Sequence, residues 1–228
     1  KDFFWETSLT YTKYKDRWKE RTPDWKPNVY EKETDPIRAI YSRRADHIMQ
    51  IGEEAPTAQP DLRPGQIVIK DLDGYVRDEN GNPKVDENGR FMLLGRPDGI
   101  IDEADTELIG TLDPGWMASM TNTFKYKGFD LNIMFNGMFD RIMQDPTEMD
   151  FGVNGGGIAQ SGYNMLRTIK DRWTFDNPST TRPSSYYITG TNYTAGDFFY
   201  QKAWFIRLQN ISLGYTLPKS LLAKTKVL

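Results

Sequence analysis

Trp116-Met117-Ala118-Ser119-Met120-Thr121-Asn122-Thr123-Phe124-Lys125-Tyr126-Lys127-Gly128-Phe129-Asp130-Leu131-Asn132-Ile133-Met134-Phe135-Asn136-Gly137-Met138-Phe139-Asp140 is the stretch whose pattern decides the fold. Its side chains alternate with a period of two, the spacing at which a strand sends successive residues to opposite faces. Trp116, Ala118, Met120, Asn122, Phe124 and Tyr126 oppose Met117, Ser119, Thr121, Thr123 and Lys125. After Lys127-Gly128, Phe129, Leu131, Ile133, Phe135, Gly137 and Phe139 oppose Asp130, Asn132, Met134, Asn136, Met138 and Asp140. The Lys-Gly pair fits a tight hairpin turn, so two antiparallel strands are predicted.

The same alternation occurs twice more. In the strand near 4–12, Trp5, Thr7, Leu9 and Tyr11 oppose Glu6, Ser8, Thr10 and Thr12. In the strand near 203–217 the apolar phase slips. Trp204, Ile206 and Leu208 share one parity, and Ile211, Leu213, Tyr215 and Leu217 the other, which predicts a bulge or an exit from the membrane near Gln209-Asn210. Pro218 ends that strand, and Lys226-Val227-Leu228 is expected to begin another. Long irregular regions, near 13–115 and 140–202, separate these strands; only short runs such as Ile37 to Ser42 and Gln66 to Lys70 read as extended. Ordinary domains rarely tolerate connections of that length.

Composition points to a membrane barrel. Hydrophobic residues make up 38% of the 228 and aromatic residues 13%, with a mean hydropathy of -0.66. That is poor material for a compact soluble core but sufficient for a wall that needs apolar side chains only at alternate positions. Many aromatic residues fall near strand ends, where they would meet a membrane-water boundary. Apolar runs stay far short of the roughly 20 residues a membrane helix needs. No charged and apolar leader opens the chain. With 29 basic and 32 acidic residues, net -3, the chain offers no field for nucleic acid or anionic lipid. The absence of cysteine removes disulfides, thiolate metal sites and cysteine nucleophiles.

The fold class expected is therefore all-β: antiparallel strands from a large transmembrane β-barrel with long extracellular loops. With tight turns on the periplasmic side and long loops outside, the four strands run outward, inward, outward and inward without adjustment. Trp116, Met120, Phe124, Tyr126, Phe129, Leu131, Ile133, Phe135, Ile211, Leu213 and Tyr215 are expected to face outer-membrane lipid. Four strands cannot close a barrel, which needs about 8. Their edges must pair with further strands, and both ends of the chain are expected to be cut from something longer. The alternative is a secreted, calcium-stabilised β-sandwich that binds carbohydrate, although a sandwich alternates over shorter strands.

One motif suggests metal chemistry. Asp71-Leu72-Asp73-Gly74 is separated by residues 75–97 from Asp98-Gly99-Ile100-Ile101-Asp102-Glu103-Ala104-Asp105. With the insert removed, acidic residues stand at positions 1, 3, 5, 9 and 12 of a calcium loop with glycine at 6. Asp71, Asp73, Asp98, the Ile100 carbonyl, Asp102 and Asp105 form the candidate calcium site. It requires the insert to fold as a hairpin with adjoining feet, which Val76 to Pro83 and Asp86 to Phe91 suit. The other reading of the same residues is a set of solvated acidic turns. No organic cofactor is indicated.

Catalysis finds little support. His47, the single histidine, lies in a charged run and reads as a surface residue. Gly155-Gly156-Gly157 lacks the lysine-serine and helix opening of a phosphate loop. Tyr163, Trp173, Phe175, Tyr186, Tyr187, Tyr193, Phe198, Phe199 and Tyr200 offer rings either for sugar stacking or for packing within the second loop.

Four ordered pieces resemble the SusC/RagA-type TonB-dependent transporters of Bacteroidetes outer membranes. They are Phe4 to Leu9; Pro64 to Asp71 leading to Asp98 to Asp105 and Ile109-Gly110; Tyr126 to Leu131; and Ile206 to Pro218. Arg172-Trp173 followed by Asn177-Pro178 is similar to the family's second-loop motif. The insert at 75–97 departs from the family, which usually runs straight through its acidic loop. The resemblance implies a barrel of about 22 strands around a plug, energised by TonB and capped by a SusD-like surface lipoprotein. It also implies that the chain is a segment from the C-terminal half, importing glycan or peptide fragments and not acting as an enzyme.

Overall fold

A computed structural model of the chain describes residues 3–87, 89–153, 161–185 and 195–221. The Gly155 triplet, Tyr186, Tyr187, Tyr193 and the Lys226 to Leu228 run lie outside the described residues. Among the described residues ten strands occur in chain order: β1 Phe3–Lys13, β2 Ala39–Arg43, β3 Ala45–Ile48, β4 Ile67–Ile69, β5 Thr106–Thr111, β6 Trp116–Tyr126, β7 Phe129–Phe139, β8 Ile142–Gln144, β9 Tyr200–Lys202 and β10 Phe205–Tyr215. The chain divides into two compact units, Lys1–Asp16 with Leu112–Ile142 and Lys202–Leu228, and Arg17–Thr111 with Met143–Gln201.

The first unit holds one antiparallel sheet in the order β1-β6-β7-β10. β6 and β7 pair from Trp116↔Phe139 to Tyr126↔Phe129. Lys127 and Gly128 close the hairpin with φ of 45° and 86°, the two left-handed residues a type I′ turn requires. β1 pairs with β6 from Phe3↔Tyr126 to Lys13↔Trp116. Lys13, Trp116 and Phe139 thus stand at one end of the sheet, where both long connections leave it, and the tight turn stands at the other.

The slipped phase in β10 is resolved by a bulge. Leu208 pairs with Phe135 and Asn210 with Met134, leaving Gln209 out of register. One extra residue reverses the parity, so Ile206 and Leu208 join Ile211, Leu213 and Tyr215 on a single face. The side chain of Asn136 reaches the displaced Gln209, donating from Nδ2 to Oε1 at 3.3 Å.

The second unit holds most of both long connections. Its sheets, β2-β5 and β3-β4, are only two strands each, yet the segments either side of the first unit's hairpin share a core. Ile48, Ile67, Ile69, Val153, Trp173 and Phe199 are buried together, with Ala45, Ile101, Met149, Ala195 and Phe198 packed against them. Each fully buried large apolar side chain contributes about 1.5–3 kcal/mol, enough to hold short strands that could not stand alone. Asp197 fastens the two segments, accepting from Arg44 Nη1 and Ala45 N at 2.8 Å each. Trp173 lies on Gly65, whose φ is 88° and whose absent Cβ would sit 2.5 Å from the indole.

Candidate functional site: an apolar sheet face and an acidic turn

Residues directly opposite in an antiparallel pair point to the same face, so the register assigns every side chain of the sheet. One face carries Trp5, Leu9 and Tyr11 of β1; Trp116, Met120, Phe124 and Tyr126 of β6; Phe129, Leu131, Ile133 and Phe135 of β7; and Ile206, Leu208, Ile211, Leu213 and Tyr215 of β10. The structure therefore brings together all eleven residues expected to face lipid. The other face is mixed: it carries Glu6, Ser8, Thr10, Ser119, Thr121, Thr123, Asp130, Asn132, Asn136, Arg207 and Ser212, together with Phe4, Met117, Met134, Met138 and Phe205.

Aromatic residues are placed at both ends of the apolar face. Near the tight turn, Trp5 stacks on Phe124 at 6.0 Å and Phe129 meets Tyr215 at 4.4 Å. At the opposite end, Trp116 stacks on Phe139 at 3.8 Å and Tyr11 meets Trp116 at 5.9 Å. Leu9, Ile211 and Leu213 between them are 73%, 61% and 70% exposed. β6 spans ten steps of about 3.4 Å, or about 26 Å in height at a tilt of about 40°. That matches the apolar band of about 25 Å in outer-membrane barrels. Lys13 shares this face at its end, beside Trp116, and within the face Asn122 and Thr7 satisfy each other: Asn122 Oδ1 accepts from Thr7 Oγ1 at 2.7 Å and from Trp5 Nε1 at 3.2 Å.

The acidic turn points oxygens of its five aspartates at backbone amides, and Ile100 donates its own amide there. Asp71 accepts from Gly99 N at 2.7 Å and Asp98 N at 3.2 Å. Asp73 Oδ1 accepts from Gly95 N at 2.7 Å and Gly74 N at 2.8 Å. Asp98 takes Ile100 N at 3.0 Å. Asp105, fully buried, takes Leu72 N at 2.7 Å, Asp73 N at 3.3 Å and Asp102 N at 2.8 Å. Asp102 in turn accepts from Ala104 N at 2.8 Å, completing a capping box with Asp105 over the short helix Glu103–Asp105. Burial pushes the Asp105 carboxyl above the ordinary carboxylate range, against the pull of its amide partners. Among the described residues no three acidic or histidine side chains converge on one point. In this arrangement each of the five aspartates holds at least one backbone amide of the turn.

The insert does fold with its feet together, in a form the sequence reading missed. Leu94 N donates to Gly74 O at 2.8 Å, and three short segments close on one another: Val76 N to Met92 O, Lys84 N to Val76 O and Met92 N to Lys84 O, all 2.8–2.9 Å. The missed signal is an eight-residue repeat, Asp78-Glu79-Asn80-Gly81 and Asp86-Glu87-Asn88-Gly89. Asp78 N bonds Asn82 O and Asp86 N bonds Arg90 O, while Asp78 Oδ1 takes Asn82 N and Asp86 Oδ1 takes Arg90 N. Tyr75 packs edge-on to Phe91 at 5.3 Å, and burial raises its hydroxyl pKa to about 12.

His47 is a half-exposed link, with Nδ1 2.9 Å from Asp46 and Nε2 3.1 Å from Glu53. Burial lowers its pKa, but the two carboxylates outweigh that and leave it raised. Of the second-loop aromatics, Trp173 and Phe199 are in the core, whereas Tyr163 and Phe175 are 63% and 72% exposed.

No family model matches the chain. Over 197 residues it is 26% identical to TonB-dependent receptor P3 of Formosa agariphila, covering 85% of this chain and 16% of that receptor. It is also 26% identical over 133 residues to TonB-dependent receptor P26 of the same organism, covering 58% of this chain and 12% of that receptor. The chain thus spans less than a fifth of either relative. Among solved structures, the RagAB peptide importer in its closed-closed state matches with a TM-score of 0.58 and 21% identity, covering 100% of this chain and 22% of that one. These relatives are receptors and an importer, not enzymes. The chain is thus similar in sequence to TonB-dependent receptors and shares its fold with part of the RagAB importer, its four long strands forming an arc of an unclosed barrel.

Proposed function

We propose that the receptor containing this segment imports glycan or peptide fragments across the outer membrane, driven by TonB and assisted by a SusD-like surface lipoprotein. The observation that carries the membrane part of this reading is the continuous apolar face with aromatic residues at both ends. The sandwich alternative needs a second sheet over that face, and a soluble protein rarely leaves so large an apolar patch open. The likeness to a peptide importer supports the transport reading, and the two TonB-dependent receptors support its energy source. In this reading β1, β6, β7 and β10 are part of the barrel wall, and the unit of residues 17–111 and 143–201 lies outside the cell. The test is uptake of labelled oligosaccharide and peptide pools by the native cell. Uptake should require the receptor gene and an intact TonB system and should fall when the lipoprotein gene is deleted. Uptake unchanged by loss of the receptor would overturn the reading.

A further inference from the structure

Trp18, Arg21 and Trp25 form a cluster that neither the barrel wall nor the acidic turn explains. The Arg21 guanidinium carbon lies 4.3 Å from the centroid of the Trp25 ring and 4.8 Å from that of Trp18. The arrangement is local. Trp25 N donates to Thr22 O at 2.9 Å, closing a turn through Pro23 that brings Trp25 back toward Arg21. Two rings fix the plane of the guanidinium at little further entropic cost, since the indoles themselves have few rotamers.

The fork so positioned is unused. Among the described residues Arg21 makes no hydrogen bond and no ion pair, although carboxylates are near. Arg21 is close enough for its charge to lower the pKa of the Tyr41 hydroxyl, which burial and Asp35 together raise. Those carboxylates are committed elsewhere: Asp35 Oδ2 accepts from Tyr41 Oη at 2.7 Å and from Lys32 N at 2.8 Å. Glu31 Oε2 accepts from Asn28 N at 2.8 Å. Glu20 and Asp24 flank the cluster without bonding to Arg21. Residues 17–26 carry four basic side chains (Arg17, Lys19, Arg21, Lys26) against two acidic ones (Glu20, Asp24), in a chain whose net charge is -3. The cluster offers only donors, five guanidinium N–H groups and two indole N–H groups. Trp18, 44% exposed, leaves a ring available beside them.

We propose that Trp18, Arg21 and Trp25 form a carboxylate-binding subsite, in which the Arg21 fork takes the carboxylate and the Trp18 ring packs the flat group next to it. The pairing follows from geometry. A guanidinium and a carboxylate match as two parallel hydrogen bonds, and bonds to a charged partner are the stronger kind. A uronate ring and an acidic peptide both present a carboxylate beside a surface able to pack on an indole. The subsite rests on the import reading for its biological role, but its binding chemistry does not.

The experiment uses the full-length receptor in detergent, with binding read by tryptophan fluorescence and calorimetry. Four probes are used: tetragalacturonate and its methyl ester, tetraglutamate and tetraglutamine. At least one acidic probe should bind about tenfold more tightly than its neutral counterpart, and which one does so names the source of the carboxylate. Arg21→Gln should abolish that difference, Arg21→Lys should restore only part of it because the planar fork is lost, and Trp18→Ala should weaken both members of the preferred pair. Unaltered heat-dependent gel mobility confirms that each variant is folded. Equal affinity for acidic and neutral probes, no binding of any probe, or full discrimination by Arg21→Gln would overturn the subsite. Loss of cellular uptake with binding intact would instead count against the import reading alone.

Discussion

Replacing Ile133 by arginine is the sharpest probe of the sheet. Ile133 pairs with Ile211 on β10 and with Asn122 on β6, on the face that carries Leu131 and Phe135. It stands four residues from the tight turn, which is about 14 Å along the strand and about 10 Å in depth at a tilt of about 40°. In an apolar band about 25 Å tall this is close to the midplane, where an exposed Arg costs about 2–4 kcal/mol. Thr121→Arg is the matched control, because Thr121 lies one residue from Asn122 along β6 but on the opposite, mixed face. A charge there should cost under about 0.5 kcal/mol. Both variants are made in the full receptor, refolded from urea into vesicles, and followed by heat-dependent gel mobility. The expected difference between them is at least about 2 kcal/mol, with Ile133→Arg the weaker. Equal costs, or a larger cost for Thr121→Arg, would refute the assignment of faces.

Four further outcomes follow from particular contacts. Asn122→Leu removes the acceptor for Thr7 and Trp5 and should cost about 1–2 kcal/mol by urea titration, and adding Thr7→Val should recover part of that. Gly65→Ala places a methyl group against Trp173 at positive φ and should cost about 2–4 kcal/mol, seen as faster hydrogen exchange in residues 45–69; unchanged exchange would show that the loop yields freely. Asp105→Ala leaves the amides of Leu72, Asp73 and Asp102 without acceptors and should lower stability by about 2–4 kcal/mol, whereas Asp105→Asn should cost less. For His47 the folded pKa is raised, so its link to Asp46 and Glu53 is fully present below about pH 6.5 and fades as pH rises through the elevated value. The pH dependence of His47 carbethoxylation, read by peptide mass spectrometry, should therefore show a midpoint above 6.5 that falls in a Glu53→Gln variant.

The sheet was legible because a strand in a membrane wall writes its environment directly into alternate residues. Trp116 to Asp140 carries that code without interruption, and even the fault in β10 could be read as a slip between Leu208 and Ile211. The second unit was not legible for the opposite reason. Its core draws Ile48, Ile67 and Ile69 from one segment and Val153, Trp173 and Phe199 from another some hundred residues away, and no local period links them. The acidic turn shows a different limit. Spacing places Asp71, Asp73, Asp98, Asp102 and Asp105 around one turn, but it is the same for a carboxylate that binds a cation and for one that binds an amide. The direction of the oxygens is not written in the spacing, because it depends on how residues 75–94 close.

That closed insert has an implication for how such surfaces diversify. Its two ends meet at Gly74 and Leu94 and its three segments bond chiefly to one another, so the surrounding chain needs to know only that the ends are adjacent. Such an element can be lengthened, exchanged or removed by a single genetic event without refolding its host. Its Asp78-Glu79-Asn80-Gly81 turn is accordingly a natural position at which to splice an epitope or a reporter into the living receptor.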